Sequence, residues 1–236
     1  MDVVLSEKRI KKWLVGSIGV LVACVICISS YKDNNNVKAA EIEDLRIKRD
    51  TNISVNENGI LEINRSKKEN VITMGEENSW TLFVYLTGSD LEADYMKASG
   101  DIQEMLAAEI GNNEEGKVNV IVQTGGSNKW HIQDIDATKI QRFKVEDNQL
   151  KLIKELPLAS MGDYKTLYNF LDWGIENYPA EHMGVIFWNH GKSITNGVCV
   201  DMLYENDALS MAELELTFSK VYSEMTNRFE VIGFDT

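Results

Sequence analysis

Met183-Gly184-Val185-Ile186-Phe187-Trp188-Asn189-His190-Gly191 is the stretch on which the fold turns. Its apolar residues run without polar alternation and stop at Asn-His-Gly. A run of this kind, rich in β-branched and aromatic side chains, predicts a strand buried on both faces of a parallel sheet. Open α/β sheets bind ligands outside the carboxyl ends of their strands, and His190 falls at such an end. Gly191 directly after it allows a sharp turn and an uncovered peptide N–H.

Phe229-Glu230-Val231-Ile232-Gly233-Phe234-Asp235-Thr236 has the same build, a short apolar strand ending in polar residues. A loop and one helix separate the two, the spacing of a right-handed βαβ unit. Parallel neighbours would bring His190 and Asp235 to one rim of the sheet. Domain termini usually lie at the surface rather than on the last residue of a core strand. The sequence therefore reads as a piece of a longer protein, its sheet incomplete at the C-terminus.

Working back toward the N-terminus, Thr81–Thr87 and Val118–Gln123 predict two further buried strands. Between them, Leu91, Tyr95, Ala98, Ile102, Met105, Leu106 and Ile110 keep a 3.6-residue stripe, which predicts one helix over 91–110. Short alternating runs from Trp130 to Leu156 predict an antiparallel meander appended at one edge. Asp163 caps a helix over 164–177, with Pro179 as its stop. Ser210-Met211-Ala212-Glu213 is a capping box that opens a helix reaching about Glu224. The order is that of an α/β protein with a mostly parallel sheet.

The compact domain is expected over 80–236. Residues 41–79 are polar and Asn-rich, a linker or pro-segment. Within them the apolar residues on either side of Asn56-Glu57-Asn58-Gly59 could pair as a hairpin. Residues 1–40 begin with Lys8, Arg9, Lys11 and Lys12, then Trp13–Ser30 without a charge. This is a signal peptide or membrane anchor with its basic end in the cytoplasm. Eighteen residues lie near the short end of a bilayer span, which takes about 17–25. Cleavage before Ala40, lipidation of Cys24 and an uncleaved anchor stay open. Each puts the body outside the cytoplasmic membrane, secreted or anchored to its outer face.

A hydrophobic content of 44% supports a core, and a net charge of −13 disfavours nucleic acid or an anionic membrane surface as partner. The three cysteines imply no disulfide framework, since Cys24 and Cys27 lie in the apolar leader. His131 and His182 lack the spacing of zinc ligands. No Gly-x-Ser-x-Gly elbow or Gly-x-Gly-x-x-Gly turn is present.

Strand-Asn-His-Gly followed by strand-Gly-Phe-Asp-Thr resembles the clostripain family of cysteine peptidases, relatives of caspases, gingipains and legumains. The resemblance covers roughly Trp80 to Thr236. It includes Val84-Tyr85-Leu86-Thr87-Gly88-Ser89-Asp90-Leu91-Glu92, Val120-Ile121-Val122-Gln123-Thr124-Gly125-Gly126 and Met161-Gly162-Asp163. It implies a caspase-like three-layer sandwich with a mostly parallel central sheet. It further implies that His190 is the catalytic base, that the Gly191 N–H is an oxyanion donor, and that the nucleophilic cysteine follows Asp235 by two positions, at 237. Asp235 would line the pocket for the residue before the scissile bond. A carboxylate there selects Arg or Lys, with bidentate geometry favouring Arg.

The implied partners are protein or peptide substrates containing Arg or Lys, and the membrane through the N-terminal segment. No cofactor is required by the dyad chemistry. Some relatives need calcium, for which Asp201, Glu205, Asn206 and Asp207 offer oxygens without EF-hand spacing, so a solvated acidic loop is the better reading. Cys199, in an apolar Gly-Val-Cys-Val segment, reads as a buried inert thiol. As it stands the chain lacks the nucleophile. The alternative is a catalytically dead remnant or surface module that holds basic peptides.

Overall fold

The computed structural model describes residues 51–55, 61–65, 74–108, 110, 117–193, 197–226 and 228–235. They belong to two units. The smaller is a hairpin in which β1 (Thr51–Val55) runs antiparallel to β2 (Leu61–Arg65), with Ile53 opposite Ile63. The basic and apolar leader, with its cleavage, lipidation and anchoring alternatives, lies outside the described residues. Among those described, no helix is long and apolar enough to cross a membrane.

The larger unit begins with β3 (Trp80–Thr87), α1 (Ser89–Ala93), α2 (Lys97–Ala107) and β4 (Val118–Gly125). The hairpin β5 (Lys139–Glu146) and β6 (Gln149–Pro157) follows, then α3 (Tyr164–Asn177) and β7 (His182–Trp188). Three short strands come next: β8 (Gly191–Ser193), β9 (Gly197–Asp201) and β10 (Asp207–Leu209). The chain closes with α4 (Met211–Glu224) and β11 (Val231–Asp235).

The central sheet has six strands in the order β11-β7-β3-β4-β5-β6. The pairs from β11 to β4 are parallel, and β5 and β6 are added antiparallel at one edge. Strand alternation divides the core in two. Phe83, Tyr85, Ile121, Val185 and Phe187 face α3 and α4, meeting Phe170, Leu171, Leu214 and Val221. Leu82, Val84, Leu86, Val122, Ile186 and Trp188 face α2, meeting Ala98, Ile102 and Met105. Covering both faces is what makes the centres of these strands apolar on both sides rather than alternating. β8, β9 and β10 make a separate three-stranded antiparallel sheet.

The two long capped helices form as their sequences dictate. Asp163 accepts the N–H of Lys165, and Ser210 and Glu213 make a reciprocal capping box. Two expectations need correction. The helix expected over 91–110 is two helices, because Met96 takes a left-handed backbone (φ 58°) between α1 and α2. Glu92, fully buried, stabilises the break by accepting the Ser99 N–H at 2.8 Å and the Ser99 hydroxyl at 2.5 Å. The meander is also shorter than expected. Its first third, near 130–138, forms turns held by Asp136 and Gln141, and only β5 and β6 form strands.

Arg142 on β5 is buried in this framework. Its Nε donates to Gln123 at 2.8 Å, and its guanidinium lies 4.6 Å from the Trp173 ring centre and 5.6 Å from that of Phe170. Burial pulls its pKa down to about 10. The aromatic faces are the compensating partners of this cation.

Candidate active site

Three parallel strands, β3, β7 and β11, end on the same rim, and Asn189 ties them together. Its backbone N–H donates to the Asp235 carbonyl at 3.1 Å, and its side-chain Nδ2 donates to the Thr87 carbonyl at 2.7 Å. Its Oδ1 accepts the Val200 N–H at 3.0 Å, which also brings in β9. The side chain is buried, so each of these groups has traded water for the amide. Asn189 was legible only as the polar stop of an apolar run.

His190 follows this brace with its side chain about half exposed. Its Nε2 lies 3.1 Å from Asp90 Oδ1. Asp90 sits in the first turn of α1, and the link from β3 into that helix is held on two sides. The N–H groups of Gly88 and Ser89 donate to the carbonyls of Gly125 and Gly126, at 2.9 and 3.0 Å. The Ser89 hydroxyl donates to the Val200 carbonyl at 3.0 Å, and Ser127 Oγ donates to the Ser89 carbonyl at 2.9 Å. Gly191 opens β8, where it stands opposite Val198 of β9.

Asp235 stands opposite Trp188 in parallel register, on the side of the sheet covered by α2. It is partly buried, and desolvation raises its pKa. Trp188 donates its indole N–H to Asp101 of α2 at 2.6 Å. Burial, with the nearby Asp235 and Glu104 carboxylates, moves Asp101 from the ordinary 3.8 to about 6, against the opposing Trp188 bond and Lys97. Asp101 thus favours the protonated folded state. Its contribution to stability is complete below about pH 4 and is lost as the pH rises through about 6.

Asp101→Asn keeps an oxygen for the indole and removes the charge. In thermal melts, the variant should gain stability over the parent at pH 7.5 and not at pH 4. The expected gain is about 1 kcal/mol, reduced from the full shift because solvent screens a half-exposed carboxyl. An equal difference at both pH values would count against the assignment.

The other sequence candidates lie elsewhere. Cys199 is buried in the core facing α3 and α4, and desolvation pushes its thiol to about 12, so the thiolate is not available at neutral pH. His182 lies at the opposite end of β7, with Nδ1 2.6 Å from Glu230 and its ring stacked on Trp80. His131 approaches the Ala93 carbonyl at 3.2 Å, and its backbone N–H donates to Glu92 at 2.8 Å. The acidic loop does not fit a calcium site. Asp201 points inward and accepts the N–H groups of Met161 and Leu203, and Asp207 accepts the Ser160 hydroxyl. Among the described residues no group of three or more His, Cys, Asp or Glu side chains could hold a metal ion.

A histidine and a carboxylate thus meet at the carboxyl ends of adjacent strands, the edge at which open α/β sheets bind ligands. The clostripain family model matches residues 84–236, and the chain belongs to that family of cysteine peptidases. No curated protein matches.

Among solved structures, the chain is similar to a secreted C11 cysteine protease from Bacteroides thetaiotaomicron in complex with an irreversible peptide inhibitor. That match has 19% identity, a TM-score of 0.48, and coverage of 66% of this chain and 41% of that one. A second structure of a secreted C11 cysteine protease from the same organism gives 16%, 0.49, 68% and 46%. An inactive zymogen C11 protease from Parabacteroides distasonis gives 16%, 0.43, 66% and 41%. The chain thus spans less than half the length of these proteins.

Proposed function

We propose that the protein is the histidine-bearing part of an endopeptidase that cleaves after Arg or Lys through a His190–cysteine dyad. The observation that carries this reading is the bond from the Asn189 N–H to the Asp235 carbonyl at 3.1 Å. It places the backbone two residues before position 237 beside the residue that precedes His190. A thiol at 237 would give its proton to His190 and attack the scissile carbonyl. His190 would then return the proton to the leaving amine, and water would release the acyl group. The Gly191 N–H is the proposed donor to the oxyanion.

Asp235 is the proposed base of the pocket for the basic side chain. Residues 80–236 form part of a caspase-like sandwich in this reading, 41–79 a polar linker or pro-segment, and 1–40 a leader. The basic and apolar order of that leader supports an extracytoplasmic location, with the membrane as partner where the leader is retained.

The test uses the chain continued past Thr236 with cysteine at 237, assayed on peptides that differ only in Arg, Lys or Leu before the cut. Arg and Lys should be preferred to Leu, and Asp235→Asn should shrink that preference at least tenfold, about 1.4 kcal/mol. Equal turnover of Arg and Leu peptides by the parent would refute the specificity.

A further inference from the structure

Asp90 and His190 meet although they are distant in sequence, and both are held by the same set of bonds. Asn189 anchors to the Thr87 carbonyl at 2.7 Å, and Asp90 follows Thr87 by three residues, in the first turn of α1, whose start is fixed by Gly125, Gly126 and Val200. The pair is partly exposed, with side-chain accessibilities of 47% for His190 and 33% for Asp90. Exposed pairs of this kind contribute little to stability. What this one can fix is orientation. An ionised carboxylate only accepts hydrogen bonds, so the ring nitrogen facing it must carry the proton. Nε2 is the nitrogen turned to Asp90, at 3.1 Å, so in the neutral ring this pairing leaves the free lone pair to Nδ1.

We propose that Asp90 is the positioning residue for His190, holding the imidazole as its Nε2–H tautomer so that Nδ1 faces the nucleophile and receives its proton. This deepens the peptidase reading and rests on it for its catalytic meaning. Asp90 touches neither the substrate nor the reacting atoms, and it acts only through His190. During acylation the proton moves from the thiol to Nδ1, and the imidazolium then donates to Asp90 from Nε2. The carboxylate remains ionised throughout.

Two measurements separate this proposal from the reading beneath it. The first uses the 236-residue chain, whose three histidines give a sparse imidazole 15N spectrum. His190 should be protonated on Nε2, with that proton exchanging at least tenfold more slowly than in Asp90→Ala. Asp90→Asn, whose amide oxygen can still accept, should restore much of the protection. Protonation on Nδ1, or the same exchange rate in parent and Asp90→Ala, would overturn the proposal whether or not any peptidase activity exists.

The second uses the chain continued through cysteine at 237. Asp90→Ala should lower kcat on the order of 10- to 100-fold with KM nearly unchanged, less than the full worth of a general base, about 10²–10⁴. Asp90→Asn should recover part of the loss. A fall confined to KM would overturn the positioning role. Absence of turnover in the parent, with the tautomer result intact, would overturn the peptidase reading alone.

Discussion

His190→Ala, in the chain continued with cysteine at 237, is expected to lower kcat/KM on Arg peptides by about 10²–10⁴, the worth of a positioned general base. The reasoning is local. A free cysteine is only a few per cent thiolate at neutral pH, and it needs an acceptor for its proton before it attacks. At the rim formed by β3, β7 and β11, His190 is the described histidine in place, because His131 and His182 are held elsewhere by Ala93 and Glu230. The thiol of Cys199 lies in the core, so it cannot substitute as nucleophile. The loss should appear in kcat, since His190 is not proposed to bind the substrate side chain. Turnover by the 236-residue chain that survives His190→Ala would sink the assignment of both members of the dyad.

Asn189→Ala should be the most damaging single change to the scaffold near the site. The truncation strands the Thr87 carbonyl and the Val200 N–H, both bonded to the Asn189 side chain at 2.7 and 3.0 Å. Each buried group left without a partner costs about 1–3 kcal/mol, so the expected loss is about 2–6 kcal/mol in urea unfolding. Asn189→Asp should also fail, because a carboxylate could accept from Val200 but could not donate to Thr87. The histidine beside it should lose its fixed place, so the Asp90-dependent protection of the His190 ring proton should vanish as well. A stability within 1 kcal/mol of the parent would show that the brace is dispensable.

The sequence made the strands and capped helices legible because their signals are local. Apolar runs marked β3, β4 and β7, and Asp163 and Ser210 announced the starts of α3 and α4. The same locality concealed the site. Asn189 reaches back 102 residues to Thr87, and His190 reaches back 100 to Asp90. No periodicity encodes such bonds. In sequence Asn189 is only the polar stop of an apolar run, and Asp90 carries no sign of its distant partner.

The break at Met96 was hidden for a related reason. The apolar stripe continues through it, and the residue that stabilises it, Glu92, reads as a solvated charge until its donors are seen. The turns before β5 carry Trp130, Ile132 and Ile135 into the core facing α2, which imitates strand alternation without a strand.

The parallel register of β11 on β7 decides which face of the sheet Asp235 looks to. Phe234 stacks on Phe187 with ring centres 5.3 Å apart, while Asp235 beside it looks to the other face. A slip of one residue would reverse both, placing the carboxylate among aromatic rings and the ring toward α2. Gly233 leaves room for the Ile186 side chain, whose end would have to shift if a Cβ took its place. The acidic residue is therefore either presented at the rim or withdrawn from it, with no graded positions between. Substitutions at Phe187 or Phe234 would accordingly disturb the register that presents the Asp235 carboxylate, and with it the proposed pocket.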